Sequence, residues 1–242
     1  MTTEVGQSIA RRPDGQDGIA LVVVLMALML LTALGLTMTL NTSLETLIAG
    51  NFRETQEAFY AADAGVERAL SDLSADGDWN GILDGSTQSS FVDGAPGPRT
   101  LVDGSTVDLA QVANMANCRK PSPCSVAEMD RVTSERPWGA NNPRWQLYAY
   151  GPVRVLLPAG AIDSAYYLVM MVADDASEND GDPLRDGVSA ANPGSDVVAL
   201  RVDSFGPRGG RKTIEVTVAR SRLAGAGGGH VRVLSWRALR VS

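Results

Sequence analysis

The sequence predicts an α+β protein: one long N-terminal α-helix followed by an antiparallel β-sheet globular domain with long loops. Three observations predict it. From Gly18 to Leu44 the chain carries no ionisable side chain, and most of Ile19–Leu40 is aliphatic. From Asn41 to Leu73 it stays free of proline, with apolar side chains recurring every three or four residues, the helical period. Beyond Arg144, short apolar runs with every-other-residue alternation are separated by glycine and proline.

The elements follow in chain order. Residues 1–18 form a polar leader in which Arg11 and Arg12 precede the apolar run. Residues 19–40 are 22 in number, which as a helix span about 33 Å, the thickness of a bilayer's hydrocarbon core. This stretch is expected to cross a membrane once, and the arginines place the N-terminus in the cytoplasm and the body outside. The run is too long for a secretory signal, and it ends at Leu40-Asn-Thr-Ser-Leu44 without a small-x-small cleavage site. The helix is expected to continue to residue 73 through Leu44, Leu47, Ile48, Phe52, Thr55, Phe59, Ala62, Val66, Ala69, Leu70 and Leu73. Small residues along it (Ala27, Ala33, Gly35, Ala49, Gly50, Ala58, Ala61, Ala62, Ala64, Gly65, Ala69) permit close helix–helix approach. Gly35 and Gly50 are also points where the helix can bend.

Residues 74–143 read as a connecting region dense in turn signals such as Asp76-Gly-Asp-Trp79 and Asp93-Gly-Ala-Pro-Gly-Pro98. Only short elements are expected there, at 99–102, 105–108 and 126–132. Residues 144–220 read as the sheet domain: strands at 145–150, 154–157 and 165–173, then a hairpin of 196–205 with 211–219 through Gly206-Pro-Arg-Gly-Gly210. Residues 221–242 read as a glycine-rich linker, with His230 in it, and a basic C-terminal strand or tail.

A formal charge of −7 argues against nucleic acid as a partner, because phosphate binding needs clustered Lys and Arg. Two cysteines, Cys118 and Cys124, bracket Arg-Lys-Pro-Ser-Pro. Outside the cytoplasm they would close a small disulfide loop; otherwise they are two thiols in a loop. The stretch Asp174–Asp186 packs acidic residues and a turn glycine behind the most apolar strand. It reads either as a Ca²⁺ site, with Asp174, Asp175, Asn179, Asp180 and Asp182 as ligands, or as a solvated acidic loop. No phosphate loop, nucleophile motif or paired-carboxylate constellation stands out, so no catalytic residue is assigned.

A glycine directly before a long apolar helix, with a polar leader ahead of it, resembles a type IV prepilin leader. The resemblance implies cleavage by a membrane peptidase after Gly18, leaving Ile19 as the mature N-terminus. The segment Leu40–Leu70 is similar to the N-terminal region of PilX-type minor pilins, above all in Ala49-Gly-Asn-Phe-Arg53 and Gln56-Glu-Ala-Phe-Tyr-Ala-Ala-Asp-Ala64. The resemblance covers residues 15–73, under a third of the chain. It implies a pilin-like fold and no enzymatic activity. It further implies Val23, Gly35, Gly50, Phe52 and Phe59 as filament-core packing positions.

Two positions depart from the major-pilin pattern. Val23 stands at the fifth mature position, where major pilins carry glutamate, and Asp17 precedes the glycine where a basic residue is usual. A subunit without that glutamate buries no carboxylate in an apolar core, which suits a cap or initiator better than a repeating unit. The implied role is a minor pilin in the priming or tip complex of a type IV pilus, supporting twitching motility and adhesion. The implied partners are other minor pilins, the major pilin, a tip adhesin-like protein, the prepilin peptidase and the inner-membrane assembly platform. The chain would sit in the inner membrane with a periplasmic body until assembled. One alternative is a K-type pseudopilin capping a type II secretion pseudopilus, which shares the missing glutamate but carries a larger inserted helical region. Another, of a different class, is a single-pass membrane-anchored extracytoplasmic enzyme.

Overall fold

A computed structural model describes residues 17–157, 162–178, 180–187, 194–221 and 230–239. The chain divides into two compact units, residues 1–52 and 53–242. The helix α1, Asp17–Ala75, contributes to both.

In the first unit α1 is uninterrupted and exposed along its described length. Its hydroxyls do not stand free. Thr32, Thr37, Thr39, Thr42, Ser43 and Thr46 each donate to the carbonyl four residues back, at 2.8–3.0 Å. This back-bonding lets polar side chains sit in an apolar helix without an unmet donor.

The second unit is a three-layer head. Its sheet is antiparallel, in the order β3-β4-β5-β6-β7, with β3 Gln146–Pro152, β4 Tyr167–Asp174, β5 Val197–Phe205, β6 Arg211–Ser221 and β7 His230–Leu239. Residues 53–75 of α1 cover one face. The other carries a two-stranded ribbon, β1 Pro98–Thr100 with β2 Thr106–Asp108, and the helix α3, Leu109–Cys118. Two further helical turns are α2, Asn80–Leu83, and α4, Val126–Met129.

The strand β4 is buried on both sides, which explains its unbroken apolar sequence. Leu168, Met170 and Val172 join Ala62, Val66, Ala69 and Leu73 in the core beneath α1. Tyr167, Val169, Met171 and Ala173 join Leu109 and Val112 in the core beneath α3. At Gly65 the helix lies so close that a Cβ would come within 2.7 Å of Val202 Cγ1. Polar ties fix the same contact: Ser204 Oγ donates to the Ala58 carbonyl at 2.8 Å and Tyr166 Oη to the Glu54 carbonyl at 2.9 Å.

Where α1 ends, Trp79 is wholly buried, donates from Nε1 to the Leu73 carbonyl at 3.1 Å and lies under the Arg220 guanidinium, 4.5 Å from its ring centre. That indole fixes the exit of the chain from the helix.

Three sequence expectations change. Residues 154–157 are not a strand. Val153–Val155 form a 3₁₀ turn in which Val153 and Leu156, three apart, are buried while Arg154 and Val155 face out. The region 74–143 holds a ten-residue helix, α3, that the turn signals around it concealed. Its N-cap is Asp108, whose carboxylate accepts from Ala110 and Gln111 at 2.9 and 3.2 Å. His230 is the first residue of β7 rather than part of the linker, and β7 is a strand, adding a fifth member to the sheet.

Candidate functional site

Two features of the chain are candidates for function: the uncovered helix in the first unit, and the acidic loop of the head.

Along the helix, Gly18, Ile19, Val23, Gly35, Gly50 and Phe52 are exposed, and a Cβ added at Gly18, Gly35 or Gly50 would meet nothing within 4 Å. A strip this apolar and this bare gains about 25 cal/mol for each Å² removed from water. It is the one described helix long and apolar enough to cross a membrane. Phe59 differs. It packs against the head's own core and meets Trp236 edge to face, with centroids 5.6 Å apart. Ala58, Ala61, Ala62, Gly65 and Ala69 likewise face the sheet or its core rather than open space. For these residues close approach is spent within the chain, because the sheet supplies the surface that a second helix was expected to supply.

In the acidic loop the structure separates the expected calcium ligands. Asp175 accepts from the Ser177 hydroxyl, Asp180 Oδ1 from the Asp182 amide at 2.8 Å, and Asp182 Oδ1 from the Leu184 amide at 3.3 Å. These are local turns of exposed or half-buried residues. Asp174 instead points inward from the end of β4, and Asn179 lies outside the described residues. Among the described residues no three Asp, Glu, His or Cys side chains converge where they could hold a metal ion.

The loop gathers a different set: Asp174, Glu178 and Asp186 are all buried. Glu178 Oε1 accepts from the Gly187 amide at 2.7 Å, and Asp186 Oδ1 from the Asp196 amide at 2.6 Å. Arg220 lies 3.7 Å from Asp186 and 3.1 Å from Asp196. Burial first, then the neighbouring Glu178, pushes the Asp174 carboxyl far above the usual carboxylate range. Burial also raises Glu178. Both carboxyls thus favour the neutral form more than an exposed carboxylate does. Sequence reasoning missed Glu178 and Asp186 because acidic residues in a turn-rich loop read as solvated.

Cys118 and Cys124 are joined in a disulfide, with Cα atoms 6.1 Å apart. The loop they close leads into α4, whose capping box pairs Ser125 with Glu128. Lys120 bonds Glu128 at 2.5 Å, and that contact together with the Ser125 amide and hydroxyl holds the Glu128 carboxyl down at about 2. Arg119 closes α3 in the left-handed region, at φ 60°.

An open cleft of about 370 Å³ lies between α3 and the β5–β6 turn, lined by Val107, Gln111, Met115 and Phe205 among others. Its two charged residues are committed to structure. Asp108 caps α3, and Arg211 donates from Nη2 to the buried Asp203 at 2.9 Å.

Residues 17–67, the bare helix and the half of it that seats the sheet, match the family model described as PilX N-terminal. Over those residues the chain is similar to the N-terminal segment of PilX-type pilins. The match ends inside α1, before the sheet, and no curated protein and no solved structure matches the chain. A PilX-type N-terminus on a long helix followed by an antiparallel sheet is a pilin-like α+β architecture. It supports a role related to type IV pili, in a family that is structural rather than enzymatic, and association with other pilus components. The apolar helix fits a single-pass membrane anchor.

Proposed function

We propose that this chain is a minor pilin that works in the priming or tip complex of a type IV pilus, promoting assembly and through it motility and adhesion. One observation carries the reading: the PilX-type segment coincides with a helix whose N-terminal part offers an unbroken apolar surface that nothing in its own unit covers. Lipid satisfies that surface before assembly, and the helices of neighbouring subunits satisfy it afterwards. Val23 fits the same role, since a valine there brings no buried carboxylate that a neighbour must neutralise. Maturation is cleavage between Gly18 and Ile19. The partners are other minor pilins, the major pilin, a tip adhesin-like protein, the prepilin peptidase and the assembly platform. The pseudopilin reading expected a larger helical insertion; between α1 and β3 the longest described helix is α3, with 10 residues.

The test is mass spectrometry of the chain recovered from sheared, purified filaments. The expected product begins at Ile19 with a methylated amine. A chain beginning at Met1, or one found in the membrane and absent from filaments and tip fractions, rejects the proposal.

A further inference from the structure

The two edges of the head's sheet are treated differently. The β3 edge is covered by residues 89–93: the Ser89 and Asp93 amides donate to the Tyr148 and Tyr150 carbonyls at 3.1 and 3.0 Å, and the Tyr150 amide donates to the Phe91 carbonyl at 2.9 Å. The β7 edge has no such cover among the described residues. Among the described residues, no backbone hydrogen bond joins β7 to any segment but β6. An antiparallel edge strand turns about half of its amides and carbonyls outward, which makes a ready template for another strand.

The side chains of β7 say what kind of strand fits. In the register with β6, Val231, Val233, Trp236 and Ala238 stand opposite Arg220, Val218, Val216 and Ile214. Because Val218, Val216 and Ile214 belong to the core beneath α1, Val233, Trp236 and Ala238 share the helix-side face. Val233 and Trp236 nevertheless remain 44% and 43% exposed, with Trp236 set against Phe59. On the opposite face, Arg232 and Arg237 stand across from Ala219 and Glu215, and both are exposed. Arg237 also donates to Glu215 from Nε at 3.1 Å and Nη2 at 2.5 Å, a carboxylate that it shares with Arg201 at 3.1 Å. No acidic residue occurs in β7. The strand is thus apolar on one face and basic on the other.

We propose that the outer edge of β7 docks an extended segment of a different protein in which acidic and apolar residues alternate. Its backbone would complete the ladder, its carboxylates would meet Arg232 and Arg237, and its apolar side chains would extend the surface of Val233 and Trp236. A second copy of this chain is the wrong occupant. Antiparallel pairing of two β7 strands about their centre sets Arg232 of each opposite Arg237 of the other. Glu215, the carboxylate beside Arg237, is already shared with Arg201, and β7 itself carries no acidic side chain to accept from Arg232. This surface belongs to the head alone and stands independently of the filament reading.

The experiment uses the full chain in detergent micelles and three fluorescently labelled decapeptides: alternating Val and Glu, the same composition in scrambled order, and alternating Val and Lys. Polarisation is expected to show the alternating acidic peptide binding at least about tenfold tighter than the other two, with amide exchange slowed over 230–239. The variants Arg232→Glu alone and together with Arg237→Glu are expected to shift preference toward the lysine peptide, a reversal that loss of folding does not produce. Equal binding of the scrambled peptide, unchanged exchange over 230–239, or unaltered preference in both variants overturns the proposal.

Discussion

Gly65 and Gly50 lie on the same helix and predict opposite outcomes. Alanine gains up to about 1 kcal/mol over glycine in a helix interior. At Gly65 that gain meets Val202 Cγ1 at 2.7 Å, with Leu168 and Met170 at 3.3 Å, all in the packed core. Overpacking of this kind costs about 1–3 kcal/mol, so Gly65→Ala is expected to lower stability in denaturant titrations. Gly50→Ala meets nothing within 4 Å and is expected to leave stability equal or slightly higher. Asp174 carries a pH signature. Its carboxyl, beside Glu178 and near Asp186, titrates higher in the folded chain than in the unfolded one. The folded state therefore holds the extra proton. Stability from this group is full below the unfolded carboxylate pKa of about 3.9 and is lost as pH rises toward the folded value. Thermal melts are expected to fall from pH 5 to pH 8, and Asp174→Asn is expected to flatten that fall. A slope unchanged in the variant would assign the dependence to other groups.

At the scale of elements, α3 depends on its first residue's neighbour. Removing the Asp108 carboxylate leaves two amides at the helix start without their acceptor, and Asp108→Ala is expected to cost about 1 kcal/mol. Because α3 covers Val169 and Met171, the loss should register as faster amide exchange in β4 as well as in α3. The signal for α3 was present in the chain: an aspartate followed by Leu109 and Val112 at helical spacing. It lay hidden between Asp-Gly turns on one side and a proline-rich cysteine loop on the other. The 3₁₀ turn at Val153–Val155 escaped for another reason. Four residues of mixed polarity fit either period, and burial of Val153 with Leu156 decided between them.

For the whole molecule, the long helix sets location. A charge near the middle of its apolar run costs about 2.5–3.5 kcal/mol on insertion scales, so Leu30→Arg is expected to move part of the chain into the carbonate-soluble fraction of membranes. Full retention in the membrane pellet would contradict the single-pass anchor. The long helix, the antiparallel sheet and the apolar β4 could be read from the chain, because periodicity and hydropathy act locally and leave their mark residue by residue. The PilX-type N-terminus was legible in the same way, from contiguous residues. Tertiary structure alone decided which small residues of α1 face the sheet, and that Phe59 belongs to the head. It also decided that Asp174 shares its burial with Glu178 and Asp186 rather than with Asp180 and Asp182, and that, among the described residues, one sheet edge is covered and the other is not. Each of these depends on which distant segments meet, and contact between residues as far apart as Gly65 and Val202 has no counterpart in local sequence.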